Sequence, residues 1–463
     1  MSSNPMKTFF FNLRLPLSRG ESDVITFLDK HFSFFDSEIE KLLNSEDCDK
    51  IFPSRFFSEL SDKRESIKQF SGAILESLRL YLDGKMVEAY SIFDRMMDEI
   101  QDNLVITDIR GIGVNNQFFR IRPEKVSERK ELFHIPFDKI TKVKAYRYSV
   151  AGFPCLYLAG GPCDTPLSLC WTECGMPYSF SWSEYKLADN TVQIPLIDLT
   201  LSPFASAINS QHLVTSALNH DPNNDFVIKM ITTYPLMAAC SLVVEEKSQN
   251  FTPEYVIPQI LLGWIRRSTK IRGVAYFSCS SLPDAKLYNA FNIALPPSKS
   301  TYVGYCEKLI SEFLLSKPEF TDISDIFLSL RNNYIEVKSF RNWLKVIYSN
   351  HLAIDTIREM LSVCDSFILL YETVINKNNF ELCWAHQYIE TLSLVSNRMA
   401  ANKYFELMVE QAKLFSPDSD QNIEKCSDIW DKFNAVRLKI FDFWNFDIKH
   451  FETSTTDFCF IDK

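Results

Sequence analysis

The sequence predicts a mixed α+β fold, with a strand-rich middle third set between helical flanks. Three observations carry that prediction. Near the N-terminus, Ile67, Phe70, Ile74, Leu78 and Tyr81 recur every three or four residues, the spacing of one apolar helix face. Between 118 and 280, short runs rich in β-branched and aromatic residues replace that spacing, separated by Gly, Pro and Asx clusters. Beyond Pro296-Pro297 the helical spacing returns. The expected division is a helical unit over 1–105, a mixed unit over 106–297 and a second helical unit over 298–463.

In the first unit the stripe over 67–81 meets a turn signal at Asp83-Gly84. A second stripe follows at Met86, Tyr90, Phe93 and Met97, which makes an antiparallel helical hairpin. In the middle unit, strands are expected over 118–122, 144–150, 154–160, 192–199, 237–246 and 273–280. A helix is expected over 255–267, and the segment ending in Glu173 also reads as helical. In the last unit, Tyr302, Cys306, Leu309 and Phe313 form an apolar stripe, and 352–376 and 378–415 read as long helices. The closing stretch ETSTTDFCFIDK is expected to be a loosely held tail.

Composition narrows the function classes. Apolar residues make up 46% and charged residues 23% of the 463, which is globular rather than disordered composition. Glycine is scarce at 12 residues, which argues against glycine-rich phosphate loops. A net charge of −10 argues against a general nucleic-acid binder, which needs a basic footprint. No apolar run approaches a membrane span, and MSSNPMKTFFFNLRL lacks the apolar core of a secretory signal. With twelve scattered cysteines and no CxxC pair, the expected setting is the reducing cytoplasm.

The residues that can carry chemistry concentrate between Phe118 and Glu173, with one later strand pair. Arg120 and Arg122 stand two apart in a β-run and so share a face, where two planar guanidiniums suit a diphosphate or paired carboxylates. Read alone, the pair is equally the solvated face of an edge strand. Arg147, Tyr148 and Ser149 precede Gly152 in a turn that leads to the strand carrying Tyr157. Such a tyrosine is either half-buried packing or a stacking surface for a flat ring. Glu173 follows the apolar turn of Leu167, Leu169 and Trp171; it is either a solvated helix end or, in a cleft, a poised carboxylate.

The order FFRIRP, ELFHIPF, RYSVAGFPCLYLA, LCWTE, then IPQILLGWIRR, GVAYFSCSS and NAFNIALP resembles the RES domain, named for an arginine, a glutamate and a serine. The resemblance spans roughly 115–297 and is to the larger variety that carries an N-terminal helical, HEPN-like domain. It implies an ADP-ribosyltransferase-like fold with NAD+ as the substrate, held in a cleft between two small sheets, and no permanently bound cofactor or metal. The implied activity is cleavage of the nicotinamide–ribose bond by a glycohydrolase or phosphorylase acting as a toxin or antiviral defence effector. Residue by residue, Arg120 matches the family arginine with Arg122 beside it, Tyr157 the tyrosine before the helix, Glu173 the glutamate and Ser278 the serine. Ser149 stands where compact members carry asparagine and competes for the serine's role, and Arg147 joins the substrate-binding set.

The residue types suit that chemistry. Breaking an N-glycosidic bond builds positive charge on the ribose, which a carboxylate stabilises. Nicotinamide leaves readily, so positioning and electrostatics suffice. The rival readings are transfer of ADP-ribose to a macromolecule, or a non-catalytic interaction protein with a decayed cleft. Implied partners, besides NAD+, are an antitoxin or regulatory protein and a second copy of the chain, with no nucleic acid and no membrane. Cys155, Cys163, Cys170 and Cys174 lack the paired spacing of a zinc knuckle. Arg129 and His134 match the Arg-x4-His spacing of a HEPN nuclease, yet fall outside the helical unit and are read as coincidence.

Overall fold

In the computed structural model the structure describes residues 5–45, 54–112, 117–161, 165–174, 177, 179–189, 191–200, 225–244, 251–279, 290–298, 303–322 and 334–346, with short pieces of 357–368, 424–435 and 458–461. It is a mixed α+β protein built on a ten-stranded sheet. The expected helices over 352–376 and 378–415 lie largely outside the described residues, as do His351, His386 and His450.

Four helices open the chain: α1 (Pro5–Asn12), α2 (Val24–Leu43), α3 (Ser54–Leu82) and α4 (Met86–Ile100). The α2 start is set by Asp23, whose carboxylate accepts from the Thr26 N–H at 2.9 Å, and its buried face runs through Val24, Leu28, Phe32, Phe35, Ile39 and Leu42. Helices α3 and α4 are the expected hairpin, and Gly84 in their turn takes the left-handed φ of 80° that favours glycine.

Next come β1 (Ile106–Asp108), β2 (Gln117–Arg122), β3 (Leu156–Gly160), α5 (Thr165–Glu173), β4 (Ser179–Leu187) and β5 (Pro195–Leu199). They are followed by α6 (Asp225–Cys240), α7 (Val256–Arg267), β6 (Gly273–Tyr276) and β7 (Phe291–Leu295). After these stand α8 (Glu307–Glu312), β8 (Phe313–Ser316), β9 (Glu319–Asp322) and β10 (Phe458–Cys459).

The sheet runs β1-β5-β6-β7-β3-β2-β4-β8-β10, with β9 also on β4. Every pairing is antiparallel except β5 with β6. Its two halves meet at one residue pair. Strand β3 matches β7 over five pairs and β2 matches β4 over six, but β2 and β3 pair only at Phe119 and Ala159. The sheet therefore splays there into two lobes.

Four expectations need correction. The run 237–246 is not a strand, because 237–240 closes α6, a helix buried almost all round; an apolar run of that kind has no period to betray it. The run 144–150 is a tight turn, with Tyr146 and Ser149 exchanging main-chain hydrogen bonds at 2.9 and 3.1 Å. The helical spacing after 298 is interrupted at Phe313, which opens β8, and helix resumes over 334–346; β8 and β9 line one edge of β4 in series, broken at Lys317-Pro318, where proline has no N–H to donate. The closing tail is held at its end, since Phe458 and Cys459 pair with β8 and Ile461 is buried.

Helices α1–α4 share one continuous apolar core with α6, α7 and one sheet face; it includes Ile197, Val274 and Ala294. A second core on the other face gathers Phe118, Phe133, Leu158, Tyr185, Ile293 and Phe313. No described helix is long and apolar enough to cross a membrane.

His134 links this second core to α8. Its Nδ1 donates to the Ile135 carbonyl (2.8 Å) and its Nε2 accepts from the Cys306 N–H (2.9 Å), which requires a neutral ring. Arg129 donates from Nε to the Leu315 carbonyl at 3.1 Å, so both residues of the nuclease-like spacing hold main chain. Burial lowers the His134 pKa to about 4, and burial does the same to His31, whose Nε2 meets the Tyr234 hydroxyl at 2.7 Å. Both folded values lie below the ordinary 6.5. Their contribution to stability is therefore full above pH 6.5 and is lost as pH falls toward 4. The urea midpoint should drop between pH 7 and pH 5, and His134→Gln should shrink that drop.

Gly273 opens β6 where no side chain fits: a Cβ would stand 2.6 Å from the Ala294 carbonyl oxygen and 2.6 Å from Leu295 Cδ2. Gly273→Ala is expected to cost about 1–3 kcal/mol as overpacking against main chain. Denaturant unfolding should show a lower midpoint at unchanged slope.

Candidate functional site

The splay between β2 and β3 is spanned by Arg120. Its Nη1 donates to the Tyr157 carbonyl at 3.0 Å, taking the place of a ladder bond the diverging strands cannot make. Its Nε is buried with no hydrogen-bond partner among the described residues. Arg122 lies two residues on and turns elsewhere, donating from Nη2 to the Phe133 carbonyl at 3.2 Å. Burial, then the like charge of Arg120, lower its pKa. Arg122 stands apart from the cleft described next.

Helix α5 crosses the splay. The Cys170 thiol donates to the Phe119 carbonyl at 3.3 Å, and Leu167 packs with Ile121, Phe180 and Trp182. This seating carries Glu173, the last residue of α5, to the cleft, where its Oε1 accepts from the Ser278 hydroxyl just beyond β6 and lies 3.4 Å from the Asn292 amide nitrogen on β7. Three separate elements thus converge on one carboxylate. Asn292 is paired with Ala159 on one side and Tyr276 on the other, so it sits on a rigid central strand.

The Tyr146–Ser149 turn forms one wall. Arg147 donates to the carbonyls of Cys240 (2.9 Å) and Leu242 (2.6 Å), placing a cation at the negative end of α6. Gln259 of α7 donates to the Tyr146 carbonyl at 2.9 Å, and the Tyr157 hydroxyl donates to the Tyr148 carbonyl at 2.6 Å. Burial raises the Tyr157 pKa well above its usual value, which keeps that hydroxyl a donor. The Ser149 hydroxyl donates to the Lys144 carbonyl at 2.7 Å. Gly152, at φ 76°, lets the chain turn into β3.

These walls enclose a cleft with two connected parts, of about 470 and 580 Å³, a size suited to a small organic ligand. Glu173, Tyr157, Ser149 and Asn292 line both parts. The first is aromatic: Tyr148 and Tyr276 lie with ring centroids 4.1 Å apart, and Tyr255 sits beneath the Arg147 guanidinium at 5.2 Å. The second holds Arg120, Lys142 and Lys144.

Of the residues singled out in the sequence, the structure brings Arg120, Tyr157, Glu173, Ser278, Arg147 and Ser149 to this cleft. Ser278 touches Glu173, whereas Ser149 holds the turn. Asn292 and Tyr276 were not singled out. The signal for Asn292 was there: it is the one polar residue of the strand FNIAL. Among the described residues no group of three or more His, Cys, Asp or Glu could hold a metal ion. Cys155 is buried on the way into β3, Cys174 reaches toward the Ile121 carbonyl, and Cys163 lies outside the described residues. Burial raises the Cys155 thiol to about 12, so it stays protonated near neutral pH.

A protein of Bacillus subtilis (strain 168) named "Putative toxin YopC" is similar to this chain, 30% identical over 320 residues that make up 66% of this chain and 67% of that protein. No family model matches the chain, and no solved structure matches it.

Replacing Arg147 with Met leaves two carbonyls at the end of α6 without these donors, at a cost of about 1–3 kcal/mol. Thermal unfolding should record a lower midpoint, and Arg147→Lys, which keeps a cation without the planar fork, should recover only part of it.

Proposed function

The chain belongs to the family of the Bacillus subtilis protein named "Putative toxin YopC", and from that premise we propose that it is a toxin that acts by cleaving the nicotinamide–ribose bond of NAD+. One observation carries the reading: the Glu173 carboxylate, held by Ser278 and Asn292, opens onto both parts of a cleft with rings on one side and cations on the other. The resemblance to the RES family supports it, because Arg120, Tyr157, Glu173 and Ser278, the residues that match that family's order, lie together at this cleft.

In this reading NAD+ lies with its nicotinamide-bearing ribose over Glu173. The bond between ribose C1 and the pyridinium nitrogen lengthens, and its electron pair returns to the ring to give neutral nicotinamide. Positive charge grows on C1 and the ring oxygen, where the carboxylate stabilises it. A water molecule attacks C1, its oxygen forms the new bond and its proton is released. The products are ADP-ribose, nicotinamide and one proton. Ser278 and Asn292 keep the carboxylate oriented, so little reorganisation remains for the reacting state.

Purified wild-type protein should release nicotinamide from NAD+, and Glu173→Gln, nearly the same in shape, should lose at least a hundredfold in kcat with its fold intact by circular dichroism. Expression in a bacterial host should lower cellular NAD+ with the wild type and not with the variant. Equal release by both proteins would remove Glu173 from the reaction. Labelled ADP-ribose appearing on protein instead of free in solution would replace hydrolysis with transfer.

A further inference from the structure

The two parts of the cleft differ in chemistry, and Glu173 stands where they join. If the bond that breaks lies at Glu173, the two halves of the dinucleotide must leave it in opposite directions. The aromatic part is lined by Tyr148, Tyr255 and Tyr276, and the cation there, Arg147, is committed to the Cys240 and Leu242 carbonyls. The other part offers Arg120, Lys142 and Lys144 against one further carboxylate, Glu124. Both lysines are exposed, and neither has an ion-pair partner among the described residues. Arg120 adds an Nε–H that is buried and has no hydrogen-bond partner among the described residues. In a chain of net charge −10, such a concentration of cations sets up a local field for an anion.

The lysines are also fixed in place by their main chain. Val143 between them is buried, and its carbonyl accepts from the Gly152 N–H at 3.2 Å. The Lys144 carbonyl accepts from Ser149 at 2.7 Å, and the short helical turn that ends at Lys142 is tied by the Phe137 N–H to the Gly304 carbonyl at 2.8 Å. Lys142, Val143 and Lys144 together line this part of the cleft.

We propose that Lys142 and Lys144 bind the diphosphate of the substrate, so that the ADP half lies over the basic part and the nicotinamide enters the aromatic part. This rests on the reading of the cleft as an NAD+ site, and it adds two binding residues and an orientation to it. Arg120 supplies the buried end of the same anion site. The two lysines supply its exposed rim, where they also draw the charged half of the ligand in from solution.

The test uses the full-length chain and the two halves of the substrate as separate probes. Binding of ADP and of nicotinamide is measured by calorimetry at low and at physiological salt, for the wild type and for the double variant Lys142→Ala/Lys144→Ala. The variant should bind ADP about tenfold or more weakly and with less salt dependence, while its nicotinamide affinity stays that of the wild type. Unchanged ADP affinity in the variant overturns the assignment, and so does a wild type that binds no ADP. An equal loss for both probes overturns it too, since that is the mark of general damage. If the lysines govern ADP binding yet the wild type releases no nicotinamide from NAD+, the anion site stands and the proposed reaction falls.

Discussion

The geometry of this protein depends on one short contact. Strands β2 and β3 touch at Phe119 and Ala159 and then part, although each is fully laddered to its other neighbour. An unpaired strand edge inside a fold is costly unless something else meets its polar groups. Here Arg120 meets the Tyr157 carbonyl from one side, and the thiols of Cys170 in α5 and of Cys174 just after it meet the carbonyls of Phe119 and Ile121 from the other. The split is thereby a built opening and not a defect. The cleft, the reach of Glu173 and the separation of an aromatic from a basic side all follow from it.

The floor of the cleft is continuous with the helical core. Tyr148 and Cys155 belong to the same apolar cluster as Phe35, Phe70 and Phe93, and Tyr157 and Tyr276 pack against it. Helices α6 and α7 reach the site more directly, through Arg147 on the α6 carbonyls and Gln259 on the turn. The helices are thus part of the support for the site, since a shift of α6 would be felt at Tyr148 and from there at the Tyr157 hydroxyl. Packed interiors transmit such shifts because they have little free volume to absorb them.

Much of this was legible before the structure. Amphipathic helices announce themselves by spacing, so the α3–α4 hairpin and α7 were read closely. What was missed was missed for physical reasons. Strand β4, SFSWSEYKL, alternates polar and apolar residues only as far as Ser183, where Glu184 breaks the phase, and Ser181, Ser183 and Glu184 are all buried, so no single period marks a half-exposed strand. Helix α6 is buried nearly all round, with Pro235 inside it, and neither trait suggests a helix. The pair Arg120 and Arg122 was read as one two-pronged site because alternation puts both on one face. Alternation fixes where a side chain starts and not where a long one ends, and Arg122 ends at Phe133. Glu173 was placed by its match to a family order, whereas its contact with Ser278 depends on a crossover of more than a hundred residues that no local pattern encodes.

On the proposed reading, NAD+ is held in the opening between the two half-sheets. Hydrogen exchange with a non-cleavable carba analogue of NAD+ tests it most directly, because it reads position without requiring turnover. Slowed exchange is expected in 117–122, 144–158 and 273–279, on both sides of the split, with the α2 and α3 amides unchanged. Protection confined to the helices, or none at saturating analogue, would contradict it.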